Sequence, residues 1–485
     1  MPLSHSSAHG LRLSQVITGG QWFFADEEPR VGSCSCRADQ CQPGDLFVVL
    51  DDDELTTQEQ IQEAIDRGAT SLLCERPLPC AIPQYLVDDC RVAFGQLCHA
   101  LANSPSQSLR TIGVTGTYGK TSVQMLLQAM FAASQQTSSS LSAATVENSG
   151  PTQVARWLAE VRAQGDHVAI LEASSTALSR HQLSGLQLDA AVITNVRREH
   201  ASAHNSLAAY QSAKARILRY LKPGGVAVLN ADDPVCRSLL ERLEQPTLTF
   251  GMHGEANLTA TVLERHLSEQ TFLIDAGDES LAVRTPIIGD GHIANCLAAA
   301  AVGLVAGLDL SDIVRGLERI ESVPGCLQRL ECGQPFAVFV DHSTSPHALA
   351  NLLSTLRPLT KGNLTCLLGV DHRQSDTTRA QVGRTLERWS DASILTGSRL
   401  DRKMSLNAAH DVLDGFDRPA QAHVMPERAR AICWALDQAE PGDVVVLAGA
   451  LPTNPRDAEA LTDEDVSRYW LQQLDGDRNC PWMPA

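Results

Sequence analysis

The stretch Gly113-Val114-Thr115-Gly116-Thr117-Tyr118-Gly119-Lys120-Thr121 decides the reading of this chain. A short apolar run, Thr111–Val114, leads into it, and a helix-forming segment begins at Lys120. Glycines let a backbone turn and bring its N–H groups against phosphate oxygens. A helix starting at Lys120 adds the positive end of its dipole. Lys120 can reach terminal phosphates, and the Thr121 hydroxyl suits Mg²⁺. The strict G-x-x-x-x-G-K-[ST] pattern fails, because Val114 stands at the first glycine's place. An ordinary strand–loop–helix turn is the plainer alternative, and the flanking context argues against it. Thr115, Gly116, Thr117, Gly119, Lys120 and Thr121 are therefore the candidate nucleotide cradle.

Outward from the loop, short apolar runs recur at Val168–Leu171, Ala190–Ile193 and Val226–Leu229, with helical segments between them. Such runs suit a parallel sheet buried on both faces. The expected fold is α/β, with a central P-loop doubly wound parallel sheet over 109–325. A Pro-Gly turn near Val323–Gly325 marks its end. Strands at Phe336–Val340, Leu364–Gly369, Ser393–Thr396 and Val444–Ala448 alternate with helices at Pro346–Leu356 and Glu427–Leu436. They predict a Rossmann-like α/β domain over 326–475. Before the loop, 11–108 reads as a small α/β domain, with strands Asp45–Leu50 and Ser71–Cys74 around a helix at Gln58–Arg67. Residues 1–10 and those after Leu474 read as loose tails.

The bulk numbers agree with three domains, since 485 residues are too many for one core. A net charge of -18 argues against a nucleic-acid partner, which would need a basic surface. The 14 cysteines form no metal-type double pair and read as reduced and mostly buried, as in a cytoplasmic protein. No secretory signal pattern opens the chain. The longest apolar stretch, Cys296–Leu308, is too short for a bilayer, so no membrane insertion is expected.

Three further features carry chemistry. Glu172 follows the strand Val168–Leu171, at the sheet edge where ligands gather and where Mg²⁺ finds hard oxygen donors. A solvated strand-end glutamate is the equal alternative. Lys214 falls on the apolar stripe of a helix read as Ser206–Leu221, beside Leu207, Tyr210, Ile217, Leu218 and Leu221. An unpaired ammonium there is costly, so it needs a carboxylate, a snorkelling path or neutralising chemistry, and periodicity alone favours snorkelling. Thr194-Asn195 ends a strand and is followed by Glu199, His200 and His204, where spacing alone gives only a weak signal.

Taken in order, these segments resemble the Mur ligase family over nearly the whole chain. The segments are the phosphate loop, Glu172-Ala173-Ser174-Ser175, Thr194-Asn195 with His200, Tyr210-Gln211-Ser212-Ala213-Lys214 and Asn230-Ala231-Asp232-Asp233-Pro234, with Pro43-Gly44-Asp45-Leu46-Phe47 in the first domain. The resemblance implies an ATP-dependent ligase with Mg²⁺. It would transfer a γ-phosphoryl group to a carboxylate and join an amino acid to the resulting acyl phosphate. It implies that Lys120 grips ATP, that Thr121, Glu172 and His200 hold the metal, and that Lys214 is carbamylated and joins them. Asn295 would lie near adenine, and Asp341 would reach the nucleotide. Ser174, Ser175, Thr194, Asn195 and Arg399 would meet substrates, namely a UDP-sugar peptide and an amino acid. A cytoplasmic monomer is the expectation.

The third domain departs from the family. The motif that reads diaminopimelate, D-N-P-R, is replaced by Thr396-Gly397-Ser398-Arg399, and D-Y-A-H-x-P by Asp341-His342-Ser343-Thr344-Ser345-Pro346. Glu199 takes the place of an Asp, His292 that of an Asn, and Cys326 that of an Arg. Ala38-Asp39 replaces Ser-Arg near the uridine nucleotide. The alternatives are a nucleotide-binding pseudoenzyme and a relative acting on another carboxylate.

Overall fold

The computed structural model describes residues 3–4, 10–25, 27–50, 54–197, 206–396, 402–449 and 462–473. Two compact units result. The first is mainly the chain up to Ala260 with Ala294–Leu317, and the second is mainly Glu318 onward.

The first unit opens with a six-stranded mixed sheet. Its inner strands, Ser33–Ser35, Leu46–Val48, Ser71–Cys74 and Gln84–Leu86, run parallel. The start of the chain is not all tail: Leu3–Ser4 pairs antiparallel with Ser33–Cys34. Two residues carry too little pattern to announce a strand, and only the backbone of the partner strand makes one.

The same unit carries the larger sheet. Its parallel core runs in the order Ser138–Leu141, Val168–Ala173, Arg110–Thr115, Leu188–Ile193, Leu221–Asn230 and Thr247–Gly251. Beyond them Leu258–Thr259 pairs parallel with Phe250–Gly251. Val168, Ile170, Leu171, Val192 and Ile193 are fully buried, as two covered faces require. The helix expected over Ser206–Leu221 is shorter. Leu207–Ala215 is α-helical, Arg216–Tyr220 tightens into a 3₁₀ turn, and the strand starts at Leu221. Pro223 disfavours helix at the residue before it, so the chain extends early.

In the second unit the order is Gln328–Leu330, Ala337–Asp341, Val444–Ala448, Leu364–Gly369, Ala392–Thr396 and Ala422–Val424. Only the first strand is antiparallel. Phe339, Leu368, Val446 and Leu353 fill one side of this sheet, and Leu367, Leu447, Ile432 and Trp470 the other. Among the described residues no helix is long and apolar enough to cross a membrane.

Candidate functional site

The strand Arg110–Thr115 is the pivot of the large sheet. The chain leaves it toward Ser138–Leu141 on one side, returns through Val168–Ala173, and only then crosses to Leu188–Ile193 on the other. A crevice therefore opens past its carboxyl end, the place where doubly wound sheets bind ligands. Register brings three motifs level there. Glu172 lies opposite Val114, and both Ala173 and Ile193 lie opposite Thr115. The phosphate loop, Glu172 and Thr194-Asn195 thus converge on one edge, as their order in the sequence implies.

The loop leads into the helix Lys120–Ala133, capped by Gly119 at φ +82°. A side chain at Gly119 would strike the Asn295 carboxamide, and one at Gly116 would strike the Thr194 hydroxyl. The glycines therefore create a concave backbone that only they can line. From one side, residues 194–197 clamp the loop. Thr117 N donates to Asn195 O at 3.0 Å, and Tyr118 N donates to Asn195 Oδ1 at 3.0 Å. The Tyr118 carbonyl accepts from Thr194 Oγ1 at 2.6 Å and from Asn195 Nδ2 at 3.2 Å. Arg197 N donates to Thr117 Oγ1 at 2.9 Å. Thr115 Oγ1 is spent on the Ala173 carbonyl, 2.7 Å away, so its side chain ties two strands together.

Two lysines approach this edge. Lys120 Nζ donates to the loop carbonyls of Gly116 at 2.8 Å and Thr117 at 3.2 Å. Burial pushes its pKa down, and the charge of Glu172 opposes that shift. Glu172 itself is 3% exposed. Lys214 is 2% exposed, so it does not snorkel. Burial first, and the charge of Lys120 second, push its amine down to about 6. Its Nζ lies 4.8 Å from the centroid of the Tyr210 ring, and the Tyr210 hydroxyl is 3.0 Å from Thr117 Oγ1. No carboxylate of the described residues pairs with Lys214. The sequence stripe marked Tyr210 only as core, so its hydroxyl contact with the loop was not foreseen.

The donor set fits a nucleotide with a hard metal ion. The glycine cradle would be filled by any Cβ, and a buried carboxylate and a buried amine stand beside it. Among the described residues no three His, Cys, Asp or Glu side chains gather as a ready-made metal cage. Mg²⁺ does not require one, since it is typically held by one or two carboxylates and substrate phosphates.

The other expected residues fall elsewhere. His200 and Arg399 lie outside the described residues, as do Glu199 and His204. Thr121 is exposed at the first turn of the loop helix. Ser174 caps the helix Ser175–Ser179 and donates to Glu147 Oε2 at 2.8 Å. In the second unit Asp341 ends a strand, where burial raises its pKa. Its two oxygens accept the backbone N–H groups of Leu327 and Ser343, each at 2.8 Å. It thereby ties down a turn in which Leu327 takes φ +46°. His292 is buried against Thr285, at 3.3 Å, with its pKa pushed down to about 4 by burial.

A glycine-lined phosphate cradle at the switch point of a parallel sheet, with a lysine on the following helix, defines a P-loop enzyme of nucleoside triphosphates. Residues 114–303 match the Mur ligase middle domain, and 327–451 match the Mur ligase glutamate ligase domain. Two relatives are UDP-N-acetylmuramoyl-L-alanyl-D-glutamate–2,6-diaminopimelate ligases. That of Synechococcus elongatus is 32% identical, over 84% of this chain and 87% of its own. That of Geobacillus kaustophilus is 28% identical, over 89% and 92%. A solved structure of a ligase of that name superposes with a TM-score of 0.70 at 25% identity, covering 91% of this chain and 93% of its own. The chain belongs to the Mur ligase family, and it is an ATP-dependent acid–amino-acid ligase.

Proposed function

We propose that this ligase adds an amino acid to a UDP-N-acetylmuramoyl dipeptide in peptidoglycan precursor synthesis, through an acyl phosphate. The observation that carries this reading is Lys214. A fold needs no lysine on that stripe, and burial makes this one expensive. A buried amine brought down to about 6 is largely neutral at pH 7, so its lone pair is free. It would add to CO₂, forming an N–C bond and releasing a proton. The product is an anion, which converts the stripe position into a metal-facing oxygen donor.

Lys120 and the loop N–H groups would neutralise charge on the β- and γ-phosphates. Glu172, Thr121, His200 and the modified Lys214 would hold Mg²⁺, which supplies further charge neutralisation when bound. A substrate carboxylate oxygen would attack the γ-phosphorus while the bond to the β-phosphate oxygen breaks, releasing ADP. An amino group would then attack the acyl carbon. The amide forms, phosphate leaves, and the amine's proton is lost to solvent. Thr194 and Asn195 would contribute chiefly by holding the loop, to which their side chains are bonded. Asn295 would meet the nucleotide beside Gly119, with Asp341 acting from the third domain. Ser174, Ser175 and Arg399 would lie toward the substrates.

The acceptor amino acid is proposed to differ from the usual one. In the family D-N-P-R motif an arginine pairs with the distal carboxylate of diaminopimelate, a planar bidentate contact. Here Arg399 closes the replacing segment and Arg402 follows it, but the Asp, Asn and Pro that precede the family's arginine are absent. Steady-state ligation with UDP-N-acetylmuramoyl-L-alanyl-D-glutamate and an amino-acid panel tests this through kcat/KM ratios. Weak discrimination for the distal carboxylate, or another preferred acceptor, is expected. A strong preference for diaminopimelate over lysine that disappears in Arg399→Ala would contradict it.

A further inference from the structure

The motif Asn230-Ala231-Asp232-Asp233-Pro234 has so far been given no task. It ends the strand Leu221–Asn230 and starts the helix Pro234–Leu240, one strand away from Thr194-Asn195. Asn230 Nδ2 donates to the Thr194 carbonyl at 2.8 Å, while its Oδ1 accepts from Asp232 N at 2.9 Å. Asp233 is fully buried. Its Oδ1 caps the helix, accepting from Val235 N at 3.0 Å and Cys236 N at 3.1 Å. Its Oδ2 faces the other way, accepting from Val196 N at 3.0 Å, with Arg197 Nε at 3.8 Å. Both side chains therefore hold the segment 194–197, and that segment clamps the phosphate loop through Thr117 and Tyr118.

We infer that Asn230 and Asp233 are positioning residues for the nucleotide: through residues 194–197 they set where the loop N–H groups and Lys120 present themselves to the phosphates. This rests on the phosphate-loop reading proposed above. The two sides of Asp233 divide the labour. One oxygen serves the helix, and the other serves the site. Buried carboxylates with several N–H donors are strongly oriented, so small shifts in them are transmitted rather than absorbed. Asp232, next to it, uses the same chemistry elsewhere. Its oxygens accept from Met252 N at 2.6 Å and His253 N at 3.0 Å, which organises a turn with no bond to the loop.

The test follows from that division. Asp233→Asn keeps an oxygen for the helix cap but turns a donor NH₂ toward Val196 N–H and Arg197. Asn230→Asp keeps the bond to Asp232 N but loses the donor to Thr194. Asp232→Asn is the matched control. Melting temperature, ADP affinity by calorimetry, and KM and kcat for ATP are measured on the full chain. The expected result is a rise of about tenfold in the ADP Kd and a fall of at least about tenfold in kcat/KM for ATP for Asp233→Asn and Asn230→Asp, the scale of a sub-ångström to ångström misplacement. Asp232→Asn should bind and turn over as the parent does. Parent-like nucleotide binding by both brace variants, or an equal loss in Asp232→Asn, would overturn the proposal. So would loss of fold in both while Asp232→Asn remains folded, since the motif would then serve stability alone. A parent that binds ADP but ligates nothing would instead refute the proposed reaction, and the affinities would still decide the brace.

Discussion

The carboxyl edges of the two large sheets have been spent differently. In the second unit Arg428, Arg379 and Asp341 each have partners within the fold. Arg428 meets Asp463 with Nε at 2.8 Å and NH2 at 2.5 Å, and it also bonds Thr396 Oγ1 and the Ala448 carbonyl. Arg379 pairs with Asp411 at 2.7 Å, and Asp341 is saturated by two backbone N–H groups. At the edge of the first unit Lys120 rests only on loop carbonyls, and Lys214 faces an aromatic ring. The first edge keeps a cation and a buried amine in reserve for a ligand, whereas the cited groups of the second are satisfied within the fold. Uncompensated burial is a cost to stability that chemistry can justify.

Removing the reserve should have the largest effect. Lys214→Met should cut ligation at least about a hundredfold, the scale of losing a group that stabilises transition-state charge. It should also make the metal-free protein more stable at pH 7. The amine's pKa is depressed on folding, from 10.5 to about 6. The unfolded chain thus binds more protons between those values, and stability rises with pH across that window. Methionine abolishes both the dependence and the cost, a gain of about 1–4 kcal/mol by analogy with other buried charges replaced by apolar groups. Denaturant melts from pH 6 to 10 measure it, and a destabilised Lys214→Met would break the contrast between the two edges.

The balanced edge should respond in the opposite sense. Arg428→Met leaves Asp463 largely buried and unpaired, and should cost about 3–5 kcal/mol in urea denaturation. Arg428→Met with Asp463→Leu should recover much of that loss. Additive losses would show that the pair is not a pair.

A smaller effect belongs to His99, which is 2% exposed with neither ring nitrogen hydrogen-bonded. Burial lowers its pKa from 6.5 to about 4. The folded protein keeps it neutral while the unfolded chain protonates it, so its stability contribution is full above pH 6.5 and declines as pH falls toward 4. The loss should approach about 2 kcal/mol at pH 5. His99→Leu should flatten this part of the stability curve, leaving the contribution of His292, which has the same sign. An unchanged slope between pH 7 and 5 would rule His99 out as its source.

The architecture was legible where apolar runs and caps coincide. Ser71–Cys74, Leu364–Gly369, Val444–Ala448 and the helix Pro346–Leu356 lie where the pattern put them. The edge strand Ser138–Leu141 was not legible, because three serines at a half-buried edge make no apolar run and are held by backbone pairing instead. Of the site, the loop, Glu172 and Lys214 stood out in the sequence because each breaks a local rule, although the pattern alone left Glu172 even with a solvated strand end and favoured snorkelling for Lys214. The roles of Tyr210, Arg197 and Asp233 did not stand out, since tyrosine on a stripe and aspartate before a helix are ordinary core and cap residues. Only the fold brings their second faces to the loop.

Acceptor-dependent ADP release reports whether Lys120 and its neighbours at the first edge carry out phosphoryl transfer to a carboxylate. The purified protein receives ATP, Mg²⁺, bicarbonate, UDP-N-acetylmuramoyl-L-alanyl-D-glutamate and an amino-acid mixture, with Lys120→Ala in parallel. The expected result is one ADP per amide formed by the parent, and no turnover above background by a Lys120→Ala variant that remains folded. Undiminished ligation by that variant, or a parent that binds ADP yet releases none in the presence of every acceptor, would contradict it.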